Sequence, residues 1–378
     1  MKLSAANPYS GAVTVATPGS GFVASATHRL LQLNHLNALQ NATLNLTSVA
    51  NGVSFAAAAN TGAFQLGALS GTSNQTLSDT SGNAVILNVG GGSYSGVLSG
   101  VGALIKSGNG TLTLAGANLY TGTTTINEGT LQLGNGISDG TIANTSSVIN
   151  NASLVYNWTT SHTVPYVISG SGSVTKNGAG TASLTGINTY TGTTTVNAGE
   201  LAVNGTSIAN TGTVVINGGK VNLSGNETVD KLFFGGVQQP AGTYTAAGDS
   251  THFSGTGTLI VTSPAGFATW ASANGATGQT PGDDHDSDGV QNGIEFFLGA
   301  TGTNFTALPP VVDNAGVKTI TWPKSASFMG AYQVQVSADL INWTAAPGGT
   351  VTDSGSNVVF TFPSGPTIRF VRLVVTPG

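Results

Sequence analysis

An all-β fold is predicted: a right-handed parallel β-helix over residues 1–262, a short helical segment with an acidic loop over 263–300, and a small antiparallel β-sandwich over 301–378. Three observations predict it. The first is a sentence written three times, LSAANPYSGAVTV at 3–15, LAGANLYTGTTTI at 114–126 and LTGINTYTGTTTV at 184–196, which is the mark of stacked repeats. The second is a succession of short apolar-polar runs punctuated by Gly and Asn. The third is composition: 55 Gly and only 7% charged residues, against about 25% charged in ordinary globular chains.

Within the first region, Thr111–Leu114, Thr124–Ile126, Thr130–Leu133, Gly212–Asn217 and Lys220–Leu223 alternate with period two. That period describes half-buried strands. Their Thr, Val and Ile content suits a pleated surface, and intervening Gly or Asn accept the positive φ of tight corners. Strands this short bury little alone. Stacking each coil on the next buries a continuous apolar column and pairs backbone groups along the axis.

The second and third copies start at 114 and 184, 70 residues apart, and their match extends back to Lys106 and Lys176 and forward to Leu131-Gln-Leu and Leu201-Ala-Val. Leu31-Gln-Leu fits the first copy only after 11 extra residues, which places an insertion near Pro18 to His28, as expected for a loop leaving a coil. The leucines of Arg29–Gln40 also fit a helix face. The strand reading is preferred because Leu31-Gln-Leu matches strand slots, with Asn34, Asn37 and Asn41 as corner residues.

Residues 266–275 predict a short helix ended by Asn274-Gly275. Beyond 300, the runs Lys318–Trp322, Tyr332–Val336, Asn357–Phe362 and Arg369–Val375 are strand-like and separated by turn signals, which predicts the sandwich.

The acidic loop carries the one pattern with defined chemistry. Asp284, Asp286, Asp288 and Glu295 fit D-x-D-x-D-G followed by five residues and Glu. Alternate carboxylates converge on one side, Gly289 permits the sharp turn, Val290 offers its carbonyl, Asn292 acts directly or through water, and Glu295 closes the shell. Oxygen donors without imidazole or thiolate favour calcium over zinc. Asp283, Asp284, Asp286, Asp288 and Glu295 lie within 13 residues, with no Lys or Arg between Lys231 and Lys318. A solvated acidic linker is the plain alternative. Gln291 replaces the apolar residue usual in paired loops, so a lone loop with an affinity on the order of 0.1–1 mM is expected. Ile294, Phe296 and Phe297 are expected to start an exiting helix packed on Phe267 and Trp270.

The segments Gly100–Gly136 and Gly170–Thr206 resemble the autotransporter-associated β-strand repeat of secreted passenger regions in Gram-negative bacterial surface proteins, and Leu232–Ser263 is similar to its closing segment. The resemblance covers roughly two thirds of the chain when the solenoid is taken as one domain. It implies a surface scaffold. It also implies a C-terminal membrane barrel, for which the tail after Val261 is too short. The acidic loop resembles EF-hand-like, dockerin-like and, most closely, thrombospondin type 3-like loops. The tail is similar, more loosely, to sandwich modules that follow such loops in large bacterial secreted proteins.

The remaining candidates have plainer readings. Tyr9, Tyr120 and Tyr190 share one repeat slot, as do Asn7, Asn118 and Asn188; stacked structural ladders are preferred over a sugar-binding row. His28, His35, His162, His252 and His285 are scattered without zinc spacing. Glycan chemistry needs paired carboxylates or a base with a cationic partner, and before residue 263 the acids are Asp79, Asp139, Asp230, Asp249, Glu128, Glu200 and Glu227. Glu128 meeting Lys106 and Lys176 across coils is the one pairing to test. Trp158, Trp270, Trp322 and Trp343 are candidates for stacking on sugars, although Trp322 and Trp343 fit a sandwich core.

A net charge of −5 without a basic cluster argues against nucleic acid and acidic membranes. The absence of Cys removes disulfides and thiolate metal sites, and no apolar run reaches the roughly 18 residues of a membrane span. The start lacks the apolar stretch of a secretion signal and enters a repeat copy directly. A fragment of a longer polypeptide, an engineered start or an internally begun gene model is therefore expected. The reading is a non-catalytic secreted or cell-surface structural, adhesin-like protein: a stalk, a calcium-stabilised joint and a terminal module. Its expected partners are surface glycans or other cell-surface components, and its location is extracellular or on the outer cell surface. The alternative is a carbohydrate-binding or polysaccharide-degrading β-helix.

Overall fold

The computed structural model describes residues 1–15, 31–239, 241–262, 266–304, 306–328, 330–345, 349–363 and 370–377. The insertion expected near Pro18 to His28, with Arg29 and Arg369, lies outside the described residues. By contacts the chain divides into two compact units, Met1–Gly236 with Thr243–Ile260, and Val237–Gly242 with Val261–Gly378.

The first unit is a β-solenoid. Its longest parallel ladder stacks eleven strands, from Ala12–Val15 through Thr111–Leu114, Ser153–Asn157 and Thr194–Val196 to Lys231–Phe234, making about ten turns. A second ladder runs from Ile86–Val89 through Ala103–Lys106, Thr124–Ile126 and Val148–Asn150 to Ile168–Ser169. A third joins His162–Val164, Thr181–Leu184, Glu200–Val203, Lys220–Leu223 and Phe253–Gly255. Inward positions such as Leu104, Leu112, Leu131, Val174 and Leu201 are buried, and each full burial of such a side chain contributes about 1.5–3 kcal/mol. Leu31–Leu33 is a strand, as its match to the other copies requires. Asn41 is not a corner residue; it lies within the strand Leu39–Leu46, where the register shifts between Leu39 and Thr43.

One coil takes about 20 residues, as in the register Leu104 to Thr124 and Val174 to Thr194. The 70-residue repeat is therefore three coils and one further side. Lys106 stands on the second ladder and Lys176 on the longest one, while Leu114 is on the longest ladder and Val164-paired Leu184 on the third. This corrects the expected stacking of Tyr120 on Tyr190 and of Asn118 on Asn188, since equivalent residues occupy different faces. Any side can host any copy, because each side requires only the inward-outward alternation.

The repeated residues instead solve the same corner problem locally. The Tyr120 and Tyr190 hydroxyls each lie 2.6 Å from the hydroxyl of Thr124 and Thr194, respectively. Asn118 accepts the Leu98 N–H at 2.9 Å and donates to the Thr141 carbonyl at 3.0 Å, tying three coils together. Asn188 does likewise between Ile168 and Ser207. Tyr9, in the first copy, is about half exposed. At Gly122 and Gly192 a Cβ would stand 2.3 Å from the carbonyl oxygens of Gly102 and Gly172, so the neighbouring coil excludes any side chain there.

The few charges serve corners as well. Lys106 and Lys176 are fully buried. The Lys106 ammonium donates to the carbonyls of Ser107, Gly108 and Glu128 at 2.8, 2.7 and 3.1 Å. Lys176 binds those of Asn177, Gly178 and Ala198. Burial lowers the Lys176 ammonium to about 8, with Asp139 opposing, so it remains a cationic donor at neutral pH. Glu227 accepts the N–H groups of Gly205, Ser207 and Ile208 at 3.0–3.2 Å. Asp139 accepts those of Thr159 and Thr160, and Asp79 those of Ser81 and Asn83. Asn177, Asn197 and Asn217 form an external amide ladder with steps of 2.9 and 2.8 Å.

The second unit holds helices α1 (Phe267–Ala273) and α2 (Asn292–Leu298), followed by antiparallel sheets. One sheet has the order Val311–Asn314, Val317–Pro323, Asn357–Thr361, Thr350–Asp353; the other has Thr344–Ala345, Gly330–Ser337, Phe370–Pro377. Ile320, Trp322, Val358 and Phe360 from the first share a core with Val334, Val336 and Leu373 from the second and with Phe297 of α2. Among the described residues no helix is long and apolar enough to cross a membrane.

We predict that Gly192→Ala lowers the solenoid's unfolding free energy by about 2 kcal/mol, measured by guanidinium unfolding; an unchanged midpoint would refute the close coil approach. The pH dependence has a definite sign. The Asn60 amide, opposed by burial and assisted by Asn83 and Ser81, draws the Asp79 carboxyl from 3.8 down to about 2. Its contribution is present above the unfolded value and lost as pH falls from about 4 to 2. Asp79→Asn should flatten the fall of the unfolding midpoint across that window.

Candidate metal centre

Between α1 and α2 the chain turns on Gly289, at φ 92°, and on Ser287, at φ 61°. The loop's own amides orient the acids: Asp288 N–H donates to Asp284 and Asp286, both at 3.2 Å; Gly289 N–H to Asp284 at 2.9 Å; and Val290 N–H to Asp288 at 2.7 Å. Asp284, Asp286 and Asp288 thereby present one carboxylate oxygen each within 4.8 Å of one another. Like charges at that spacing repel by about 1 kcal/mol per pair in water and by several times that near a protein surface.

Glu295, on α2, is fully buried. One of its oxygens accepts the Thr306 hydroxyl at 2.9 Å; the other is buried without a partner, as is one oxygen of Asp286. Burial pushes the Glu295 carboxyl up to about 7, the Thr306 hydroxyl opposes this, and the charges of Asp286, Asp288 and Asp284 add to the rise. Thr306 also donates its N–H to Asp288 at 2.5 Å. It lies 11 residues beyond Glu295, outside the motif, so nothing in the spacing points to it.

The neighbouring residues of the loop have partners of their own. The Asn292 side chain is buried and occupied: its oxygen accepts the His285 N–H at 3.1 Å, and its amide donates to Gln279 at 2.9 Å and to the Thr280 carbonyl. It braces the loop against the preceding turn. Asp283 accepts the N–H and hydroxyl of Thr280 at 2.7 and 2.9 Å, which separates it from the three-carboxylate cluster. Val290 packs its side chain inward. Phe296 packs on Phe267 and Trp270 as expected, whereas Phe297 turns into the core of the two sheets. Converging hard oxygens with two buried unpartnered atoms have the chemistry of a divalent-cation site.

Among the described residues the solenoid offers no comparable convergence. Lys106 binds the backbone carbonyl of Glu128, and Lys176, on another face, binds that of Ala198. Glu128 stands near Lys106, where its charge opposes the lowering of the ammonium's pKa by burial, but Lys176 lies on another face, so the expected meeting with both lysines does not occur. His162 contacts Asp139 at 3.1 Å and His252 contacts Asp249 at 2.7 Å, both beside amides that the same carboxylates accept.

With the solenoid's geometry in hand, two stretches of it find a counterpart among known families: residues 104–133 and 174–203 match the Passenger-associated-transport-repeat family. Each match spans one sentence of the repeat with its flanking strands. The chain is also similar to the Adhesin BmaC autotransporter of Brucella suis biovar 1 (strain 1330), with 32% identity over 229 residues, covering 48% of this chain and 6% of that protein. No solved structure matches the chain.

The metal-free Glu295 carboxyl gives a second signed prediction. Unfolded, it ionises near 4.5; folded, it holds its proton to about 7. The folded state therefore binds more protons between those values, and stability of the second unit falls as pH rises through them. Thermal unfolding in chelator should show this fall, and Glu295→Gln should abolish it.

Proposed function

We propose that this chain is a non-catalytic segment of a secreted or cell-surface protein of adhesin type, with the solenoid as a stalk and the second unit as a presented module. The observation that carries the reading is the use of the solenoid's charges. Lys106, Lys176, Glu227, Asp139 and Asp79 are hydrogen-bonded to corner backbone, in a chain that carries passenger-associated-transport-repeats. Acid-base catalysis needs a titratable group within reach of substrate, and these groups are already engaged. The similarity to an autotransporter adhesin supports placement at the outer cell surface.

Calcium is the proposed ligand of Asp284, Asp286, Asp288 and Glu295. When bound it supplies a divalent charge that neutralises the cluster, while Thr306 and Asn292 hold the loop in register. An extracellular setting, where calcium is plentiful, would order the loop.

Two measurements test the proposal. Calcium should raise the unfolding temperature of the second unit with half-saturation on the order of 0.1–1 mM, and Asp288→Ala should remove that rise without moving the solenoid transition. Native gels cast with a panel of polysaccharides should show retardation without clearing. Clearing that Glu128→Gln removes would establish the enzymatic alternative.

A further inference from the structure

In the second unit, a groove of about 580 Å³ opens beside the shared core of the two sheets. Its walls include Ile294 of α2, Lys318, Ile320 and Trp322 of one sheet, and Trp343 with Arg372 of the other side. Trp322 is buried with the core. Trp343 is half-buried, and the Arg372 guanidinium stacks 4.2 Å from its ring centroid. The Trp343 indole N–H donates to the Leu340 carbonyl at 3.1 Å, which fixes the ring. Arg372 donates through Nε and Nη2 to the Gln335 side-chain oxygen at 3.0 and 2.7 Å. The guanidinium is thus held by a neutral amide and a ring. Among the described residues it forms no ion pair.

The charge pattern narrows the occupant. This chain has 10 Lys and Arg against 15 Asp and Glu, yet two of the cations border this groove and no Asp or Glu is among its described lining residues. Asp313 stands opposite Lys318 across the strand pair and donates no wall. Asp339 is taken up by the N–H groups of Ile341 and Asn342 and the Ser337 hydroxyl. An apolar, aromatic trough with a fixed guanidinium at its lip suits a ligand that has an apolar face and an isolated carboxylate. Two cations are too few to follow a nucleic-acid backbone. A uronic acid within a polysaccharide has this combination, with its C–H face set against an indole ring.

We propose that this groove binds an acidic polysaccharide through its uronate residues, with Arg372 receiving the carboxylate and Trp343 the sugar face. The inference rests on the surface-binding reading above and assigns that reading a site.

The probe is a hyaluronan oligosaccharide titrated calorimetrically into the full chain in excess calcium, with a maltooligosaccharide as the neutral comparison. Binding of hyaluronan alone, weakened at least about tenfold by Arg372→Gln and by Trp343→Ala, is the expected result. Lys318→Gln, at an exposed position, should weaken it less and keeps the test decisive if another variant misfolds. Equal binding of the neutral sugar, no binding of hyaluronan, or variants that bind like the parent would overturn the assignment. An anionic peptide that displaces nothing supports it, whereas one that binds in place of hyaluronan overturns it. If the parent and Arg372→Gln are retarded alike in polysaccharide gels, the surface-binding reading stands and the groove is not its site. If the parent is retarded by no polysaccharide and binds no hyaluronan, surface glycan binding itself fails.

Discussion

The corner is the constraint on which the solenoid depends. A coil of about 20 residues must change direction several times, and at each change backbone N–H and C=O groups leave the ladder while still buried by the neighbouring coils. An unsatisfied buried group costs about 1–3 kcal/mol, comparable to the gain from burying one aliphatic side chain. The chain meets this cost with a short list of devices. Asn118 and Asn188 tie successive coils, Lys106 and Lys176 supply donors to stranded carbonyls, and Glu227, Asp139 and Asp79 accept stranded amides. Glycine appears where the coil below leaves no room for a Cβ.

In a chain with only 7% charged residues, the buried lysines are committed to backbone carbonyls, which spends those charges on holding the corners. The second unit has the opposite character. Its acids are crowded and partly unpartnered, with Asp286 and Glu295 each leaving a buried oxygen unused. Thr306 joins that cluster to the segment leading into the sheets. The solenoid's buried charges are met by backbone groups, whereas the second unit holds buried carboxylate oxygens without a partner.

Much of this was legible in the sequence. Alternation identified the strands at Thr111–Leu114 and Lys220–Leu223, and the D-x-D-x-D-G spacing brought Asp284, Asp286 and Asp288 together. The phase of the repeat was not legible. A 70-residue period conceals a coil of about 20, because the sentence repeats after a fractional number of turns, and so the Tyr and Asn ladders read from it do not form. Spacing records the position of Asn292 and not the partners of its side chain, which are the His285 N–H and Gln279. Thr306, and the stacking of Arg372 on Trp343, arise from tertiary proximity between residues whose separation carries no periodic signal.

Whether the corners depend on their buried lysines can be read from a double-mutant cycle on Lys106→Met and Lys176→Met, followed by equilibrium unfolding. Each change strands three corner carbonyls that now receive a donor. A loss of at least about 1–3 kcal/mol is expected for each substitution, with additivity within about 0.5 kcal/mol because the two lysines lie on different faces of the solenoid. Unchanged stability would contradict the role of the corner donors. A coupling larger than that would contradict the out-of-phase repeat, since it would mean that the two lysines share a neighbourhood.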